Sequence, residues 1–95
     1  GHALAHNNLG VSYYTGLGVE VDMVQAHKWF LTAYQQWSAD KQYYEPGTEE
    51  DIVSNLRSTT LELDPGQLNE AQRLSTEWLA SFNTEPCSLG VGSLV

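Results

Sequence analysis

The sequence predicts an all-α protein of about four helices, arranged as antiparallel helical hairpins that stack into a short right-handed superhelix. Apolar residues recur at helical spacing in four segments of the chain. Glycine-containing turns or an Asp-Pro pair separate several of these segments. The chain has 95 residues, which is enough for one hydrophobic core, so the helices are expected to share it.

The first predicted helix covers about residues 3–14. Ala5, Leu9 and Tyr13 recur every four residues and are predicted to form its buried stripe. Gly16 and Gly18 follow, and glycine adopts the left-handed backbone of a helix terminus without steric cost. The helix is therefore predicted to end there, and the chain to turn.

The second predicted helix starts after Asp22, whose carboxylate can cap the free amides of the first turn. Its predicted buried stripe and the aromatic residues beside it are Ala26, Phe30, Ala33, Trp37, Trp29 and Tyr34. The connection from the first helix is about seven residues long, so the two helices are predicted to pack antiparallel. Gly10 is predicted to let their backbones approach closely.

Residues 38–47 lose the helical pattern and are predicted to be a linker that ends at the Pro46-Gly47 turn. Thr48 and Asp51 have the spacing of a capping box, so a third helix is predicted to start there and to run to about Glu62. The residues predicted to be buried on this helix are Ile52, Leu56 and Leu63.

Asp64-Pro65 predicts the start of a fourth helix, because proline fits the first helical position after an N-cap. Its predicted apolar stripe is Leu68, Ala71, Leu74, Trp78, Leu79 and Phe82. The predicted polar face is Asn69, Gln72, Arg73, Thr76 and Glu77. Residues 84–95 carry no structural prediction.

The acidic composition limits the classes of partner. Twelve acidic residues against four basic ones give a net charge of -8, which would repel nucleic acid and an anionic membrane surface. Apolar residues make up 41% of the chain, which is too many for intrinsic disorder. No run approaches the roughly 20 consecutive apolar residues of a membrane span. The sequence therefore predicts a soluble protein without membrane insertion, and it does not indicate the compartment.

Few residues have a pattern that suggests chemistry. His2 and His6 lie four residues apart and could share one helix face as a metal site, but no third ligand is evident. His27 is predicted to be a boundary or surface histidine. Cys87 is the only cysteine, which excludes an intrachain disulfide and a cysteine-based zinc cage. The sequence predicts no catalytic residue, no metal and no cofactor.

One set of residues has the order and spacing of a known helical repeat. The set is Ala5, Leu9, Gly10, Tyr13, Gly16, Gly18, Val19, Asp22, Ala26, Trp29, Phe30 and Ala33. In these positions the chain resembles the Sel-one-like repeat family, which is related to the tetratricopeptide repeats. The resemblance implies a scaffold that holds other proteins, often in bacterial envelope, signalling or host-contact processes.

The resemblance also implies a domain organisation. Residues 1–83 would be the repeat domain, with one clear repeat at 3–37, the linker at 38–47 and a degenerate helical pair at 48–83 that lacks the glycine signature. Residues 84–95 would be a C-terminal tail. Some cysteine-rich relatives, linked to β-lactam binding or hydrolysis, clip each helical pair with a disulfide, a framework that one cysteine cannot provide.

The first helices of repeats commonly line the concave face of a solenoid, where partners bind. Helical spacing places six residues opposite the predicted buried stripes of the first and third helices. They are Asn7, Val11, Tyr14, Ser54, Ser58 and Leu61. We predict that this face binds another protein or a peptide.

Two further hypotheses remain open. A small-ligand-binding or hydrolytic, β-lactamase-like member of the family would have a polar pocket with a titratable group of shifted pKa. A self-associating structural module is also compatible with the sequence, because helical repeats usually need about three units for stability and one clear unit would leave open ends.

Overall fold

The computed structural model describes residues 2–94, and the side chains of residues 2–81. Its helices are α1 (His2–Thr15), α2 (Met23–Ala39), α3 (Thr48–Glu62) and α4 (Pro65–Leu94), and a 3-10 turn (Lys41–Tyr43) follows α2. The predicted all-α class with about four helices is confirmed. The segment 84–94, for which the sequence predicts no structure, belongs to α4.

Helices α1 and α2 pack antiparallel, as predicted. Near their connection, the amide of Asp22 donates to the carbonyl of Tyr13 over 3.0 Å. Toward the other end of the pair, Nδ1 of His6 lies 2.6 Å from Oε1 of Gln36. The start of α1 therefore lies beside the end of α2.

Helices α1 and α2 approach each other closely at Gly10. A β-carbon on this residue would lie 2.5 Å from Cε1 of Phe30 and 3.1 Å from the carbonyl oxygen of Ala26. Phe30 is 1% exposed, so its ring fills the space that the missing side chain leaves. The predicted role of Gly10 is confirmed.

The predicted buried stripe of α1 is wrong. Ala5 is exposed, and Leu9 and Tyr13 are only half-buried. The buried residues of the helix are Ala3, Asn7 and Gly10. Small and polar residues form the buried face of α1, with Gly10 under the ring of Phe30 and Asn7 bonded to Asn55 of α3. Apolar periodicity does not detect such a face.

The turn and cap predictions hold at three places. Gly16 and Gly18 have φ angles of 81° and 80°, the left-handed region in which glycine is favoured. Asp22 caps α2, because its Oδ1 accepts from the amide three residues further on at 3.1 Å. Asp64 and Gln67 form a reciprocal capping box, with hydrogen bonds of 2.8 and 3.1 Å.

The predicted capping box of α3 is wrong. Thr48 is the first residue of the helix and is 7% exposed, so its side chain packs inward. The N-cap is Gly47, at a φ of 98° and with no side-chain cap. Glu49, Glu50 and Asp51 occupy the first turn, where negative charge favours the helix dipole.

Helix α2 is the element on which the other three helices pack. Thr59 of α3 contacts His27, and Ser75 of α4 contacts Thr32. His27 and Thr32 are five residues apart, so their side chains project about 140° apart around the helix. Helices α3 and α4 thus lie on opposite flanks of α2 and make few contacts with each other among the described residues.

The remaining predicted stripes agree with the structure in part, because their described members are either buried or half-buried. The residues at these positions that are buried are Ala26, Phe30, Ala33, Ile52, Leu63 and Ala71. Phe82 lies outside the described side chains. The polar face of α4 is exposed as predicted, and Arg73 pairs with Glu70 and Glu77 at 2.7 Å each. Over the described residues, no helix has the length and apolar character needed to cross a membrane.

Candidate functional site

A buried histidine joins α2 to α3. His27 is 6% exposed, and its Nδ1 lies 2.6 Å from Oγ1 of Thr59. The Thr59 hydroxyl also lies 3.2 and 3.1 Å from the carbonyl oxygens of Asn55 and Leu56 in its own helix, so it links the imidazole to the backbone of α3. Burial lowers the pKa of His27 and favours the neutral ring. The predicted surface or boundary position is therefore wrong.

Two more polar pairs lie between helices. The hydroxyl of Thr32 lies 2.8 Å from the hydroxyl of Ser75, and it also lies 2.9 Å from a backbone carbonyl of its own helix. The Asn55 side-chain amide donates to Oδ1 of Asn7 at 3.0 Å. Each pair fixes the position of one helix on another, because a buried polar group that loses its partner costs free energy. The apolar pattern alone does not identify these residues.

His6 lies in an aromatic cluster between α1, α2 and α4. Its ring stacks on Trp29 with centroids 5.1 Å apart, and Trp78 contacts both rings edge-on at 4.8 and 5.5 Å. In the described part of the chain, no three His, Cys, Asp or Glu side chains are grouped as metal ligands. The cluster thus gives His6 a packing role, with Gln36 beside its Nδ1.

The ring of Trp29 also makes a cation–π contact with a neighbouring lysine. The ammonium group of Lys28 lies 4.0 Å from the Trp29 ring centroid, a cation–π distance. Partial burial lowers the pKa of Lys28. Among the described residues, the buried Nε1 of Trp29 has no hydrogen-bond partner. The predicted core position of Trp29 holds only in part, since the residue is half-buried.

The structure separates the residues of the predicted binding face. Asn7 is buried against Asn55, so its predicted exposure is wrong. The half-buried members of the predicted set are Val11, Tyr14 and Ser58. Ser54 is exposed, and Leu61 is 87% exposed. The α3 half of the predicted face is thus more open to a partner than the α1 half.

Helices α1 and α3 run in the same direction. His27 near the start of α2 contacts Thr59 near the end of α3, so α3 is antiparallel to α2 and parallel to α1. The starts of α1 and α3 therefore lie at one end of the molecule. At that end the backbone amide of Ala3 donates to the hydroxyl of Tyr44 over 3.2 Å.

A groove of about 540 Å³ opens at this end, and we call it the Tyr43 groove. Its lining includes Leu4, Tyr43, Glu45, Pro46, Glu50 and Asp51. Tyr43 is 78% exposed and Leu4 is 46% exposed. The sequence assigned these positions only to a linker, a helix cap and the first helix. The signal it contains is the insertion Tyr43-Tyr44-Glu45, which is both aromatic and acidic.

Comparisons with known proteins give no relative. No protein-family model matches the chain. No curated protein and no solved structure matches it. The resemblance of residues 3–37 to the Sel-one-like repeats and the domain boundaries drawn from it therefore remain predictions.

Proposed function

We propose that this protein is a non-catalytic scaffold that binds a partner protein or peptide on the surface formed by α1 and α3. The observation that carries the proposal is the exposure of large apolar side chains along this surface. Leu61 on α3 is 87% exposed, and Leu4 and Tyr43 are exposed at the opposite end. Leu4 and Tyr43 line one groove together, and grouped exposed apolar side chains are typical of interaction sites, whereas single ones are common on any surface.

We also propose that residues 3–37 form a repeat of the Sel-one-like type. Support comes from the roles of the residues that carry the resemblance. Gly10 lies under Phe30, and Gly16 and Gly18 turn the chain between two antiparallel helices. Proteins built from such repeats generally hold other proteins, which agrees with a scaffold function.

Selection of phage-displayed random peptides on the immobilised protein tests the scaffold proposal. We expect peptides whose affinity falls about five- to thirtyfold in Leu61→Ala, because an exposed leucine that becomes buried contributes about 1–2 kcal/mol. Gln72→Ala is the matched control, since Gln72 is exposed on the polar face of α4. Its affinity is expected to match the parent protein.

Several outcomes would contradict the scaffold proposal. Failure to recover any peptide that binds the protein in solution would contradict the scaffold proposal. Peptides that bind Leu61→Ala, Tyr43→Ala and the parent protein equally would move the binding surface away from α1 and α3. Turnover of nitrocefin by the purified protein would support the hydrolytic alternative instead.

The connection between α1 and α2 favours self-association as a second candidate function. Leu17, Val19 and Val21 are 73%, 38% and 51% exposed within this short segment. Light scattering at micromolar concentration would show a doubled mass if the segment joins two copies. Leu17→Ser combined with Val19→Ser should then restore the mass of one chain.

A further inference from the structure

We propose that the Tyr43 groove binds a basic segment of the partner that carries a large apolar side chain. The apolar side chain would lie between Leu4 and Tyr43, and lysine or arginine side chains would pair with the carboxylates of the lining. This inference rests on the proposed scaffold function and adds both the position of the site and the chemistry of the partner.

The apolar part of the groove is held open by its neighbours. Tyr43 ends the 3-10 turn, and the next residue, Tyr44, is half-buried with its hydroxyl bound to the amide of Ala3. Tyr44 therefore ties this turn to α1, while Tyr43 and Leu4 are both exposed in the lining of the groove. A tyrosine has few rotatable bonds and loses little entropy on binding, so a site organised in this way favours contact with an apolar group.

The carboxylates of the groove are free to pair with a ligand. In the part of the chain that the structure describes, the ion pairs are those of Arg73, so Glu45, Glu50 and Asp51 have no cationic partner within 4.0 Å. Glu50 and Asp51 also favour the start of α3 through the helix dipole. Glu45 precedes the helix and has no such role.

The basic residues of the chain lie elsewhere. Lys28 lies over Trp29, and Lys41 lies 5.4 Å from the Trp37 ring centroid. Arg57 does not line the groove but a neighbouring surface of α3.

The charge of the chain identifies the class of occupant. With a net charge of -8, the protein attracts a basic ligand and repels nucleic acid or an anionic membrane. A second copy of the chain brings the same negative charge to the groove, which opposes dimer formation there. A basic segment of a different protein that carries an apolar side chain can contact the apolar walls and also pair with the carboxylates.

Fluorescence anisotropy with a labelled synthetic peptide tests the inference. The probe has ten residues, with a central Leu-Trp pair flanked by four arginines and spaced by serines. One companion peptide replaces the arginines by glutamates, and another replaces Leu-Trp by Ala-Ala. We expect the full probe to bind at least tenfold more tightly than either companion, and more weakly as salt rises from about 50 to 500 mM.

Variants of the intact chain locate the site. Tyr43→Ala and Glu50→Lys are each expected to weaken probe binding about tenfold. Glu20→Lys is the matched control, because it changes the net charge equally but lies in the connection between α1 and α2, away from the groove. Its affinity should stay within about twofold of the parent protein. Circular dichroism checks the fold of each variant, and Glu50→Gln with Glu20→Gln as its control replaces the two lysine variants if Glu50→Lys does not fold.

Each alternative result has a defined meaning. Equal weakening by Glu20→Lys and Glu50→Lys would show diffuse attraction to an acidic protein and overturn the inference. A doubled mass that Tyr43→Ala abolishes would place a second copy in the groove and also overturn it. If display-selected peptides bind but the probe does not, the scaffold function stands and the groove assignment falls. If neither binds, both fall.

Discussion

The ring of Phe30 lies so close to the backbone of Gly10 that a β-carbon there would be 2.5 Å from Cε1. Gly10→Ala should therefore destabilise the protein, although alanine is the better helix former by about 1 kcal/mol. Overpacking of this kind costs about 1–3 kcal/mol, so we expect a net loss of up to about 2 kcal/mol in the free energy of unfolding. Urea denaturation followed by circular dichroism at 222 nm measures it.

Gly66→Ala is the control for this substitution. A β-carbon at Gly66 would lie 3.4 Å from Oδ1 of Asp64, an ordinary contact within the first turn of α4. We expect it to leave stability unchanged or to raise it by up to about 1 kcal/mol. Equal effects at the two glycines would show that α1 and α2 do not approach closely at Gly10.

Substitutions at Ala3 and Ala5 test the orientation of α1. Ala3 is 0% exposed, whereas Ala5, which the sequence predicts to be buried, is exposed. Ala3→Leu should cost about 1–3 kcal/mol through overpacking, and Ala5→Leu should change stability by less than about 0.5 kcal/mol. Thermal unfolding of the two variants measures these losses. A larger loss for Ala5→Leu than for Ala3→Leu would instead support the buried stripe that the sequence predicts.

The stability of the protein should fall as the pH falls through the range in which His27 titrates. Burial lowers the pKa of His27 below the ordinary value of 6.5. As the pH drops below about 7, the unfolded chain binds a proton at this residue before the folded chain does, which favours unfolding. One such group gives a slope of at most about 1.4 kcal/mol per pH unit.

Urea denaturation between pH 7.5 and 5.5 measures this slope above the range in which most carboxylates titrate. His27→Gln is the comparison, because a side-chain amide can donate to or accept from the Thr59 hydroxyl but does not titrate. We expect the slope to be smaller in this variant. A slope that is the same in both proteins would assign the pH dependence to other groups.

The contact between Thr32 and Ser75 should behave as a coupled pair. Thr32→Val removes the hydrogen-bond partner of the buried Ser75 hydroxyl, and we expect a loss of about 1–3 kcal/mol. Adding Ser75→Ala removes the unpaired group and should recover part of that loss. Thr60→Val is the control, since Thr60 is exposed and should cost under about 0.5 kcal/mol. Additive losses at Thr32 and Ser75 would show that the two hydroxyls do not interact.

Much of the fold could be predicted because its signals are local. Asp22 and Asp64 cap helices through amides only three residues away, and Gly16 and Gly18 take the left-handed backbone that they were expected to take. The apolar stripe of α2 is dense enough to define its buried side. These features need no knowledge of which helices meet.

The features that sequence patterns missed depend on contacts between distant residues. Asn7 is buried because Asn55, 48 residues away, donates to it. His27 is buried because Thr59, on another helix, binds its ring. The Tyr43 groove exists because a 3-10 turn is tied to the start of α1 by Tyr44. A polar or small residue gives no periodic signal of burial, so only the packed structure shows these positions.

The placement of α3 and α4 on opposite flanks of α2 has a consequence for fluctuations of the native state. With few mutual contacts among the described residues, either outer helix can detach while the other remains docked. Deuterium should then enter the amides of α3 and α4 through separate local openings with different rates. The amides in the middle of α2 should exchange last, through global unfolding.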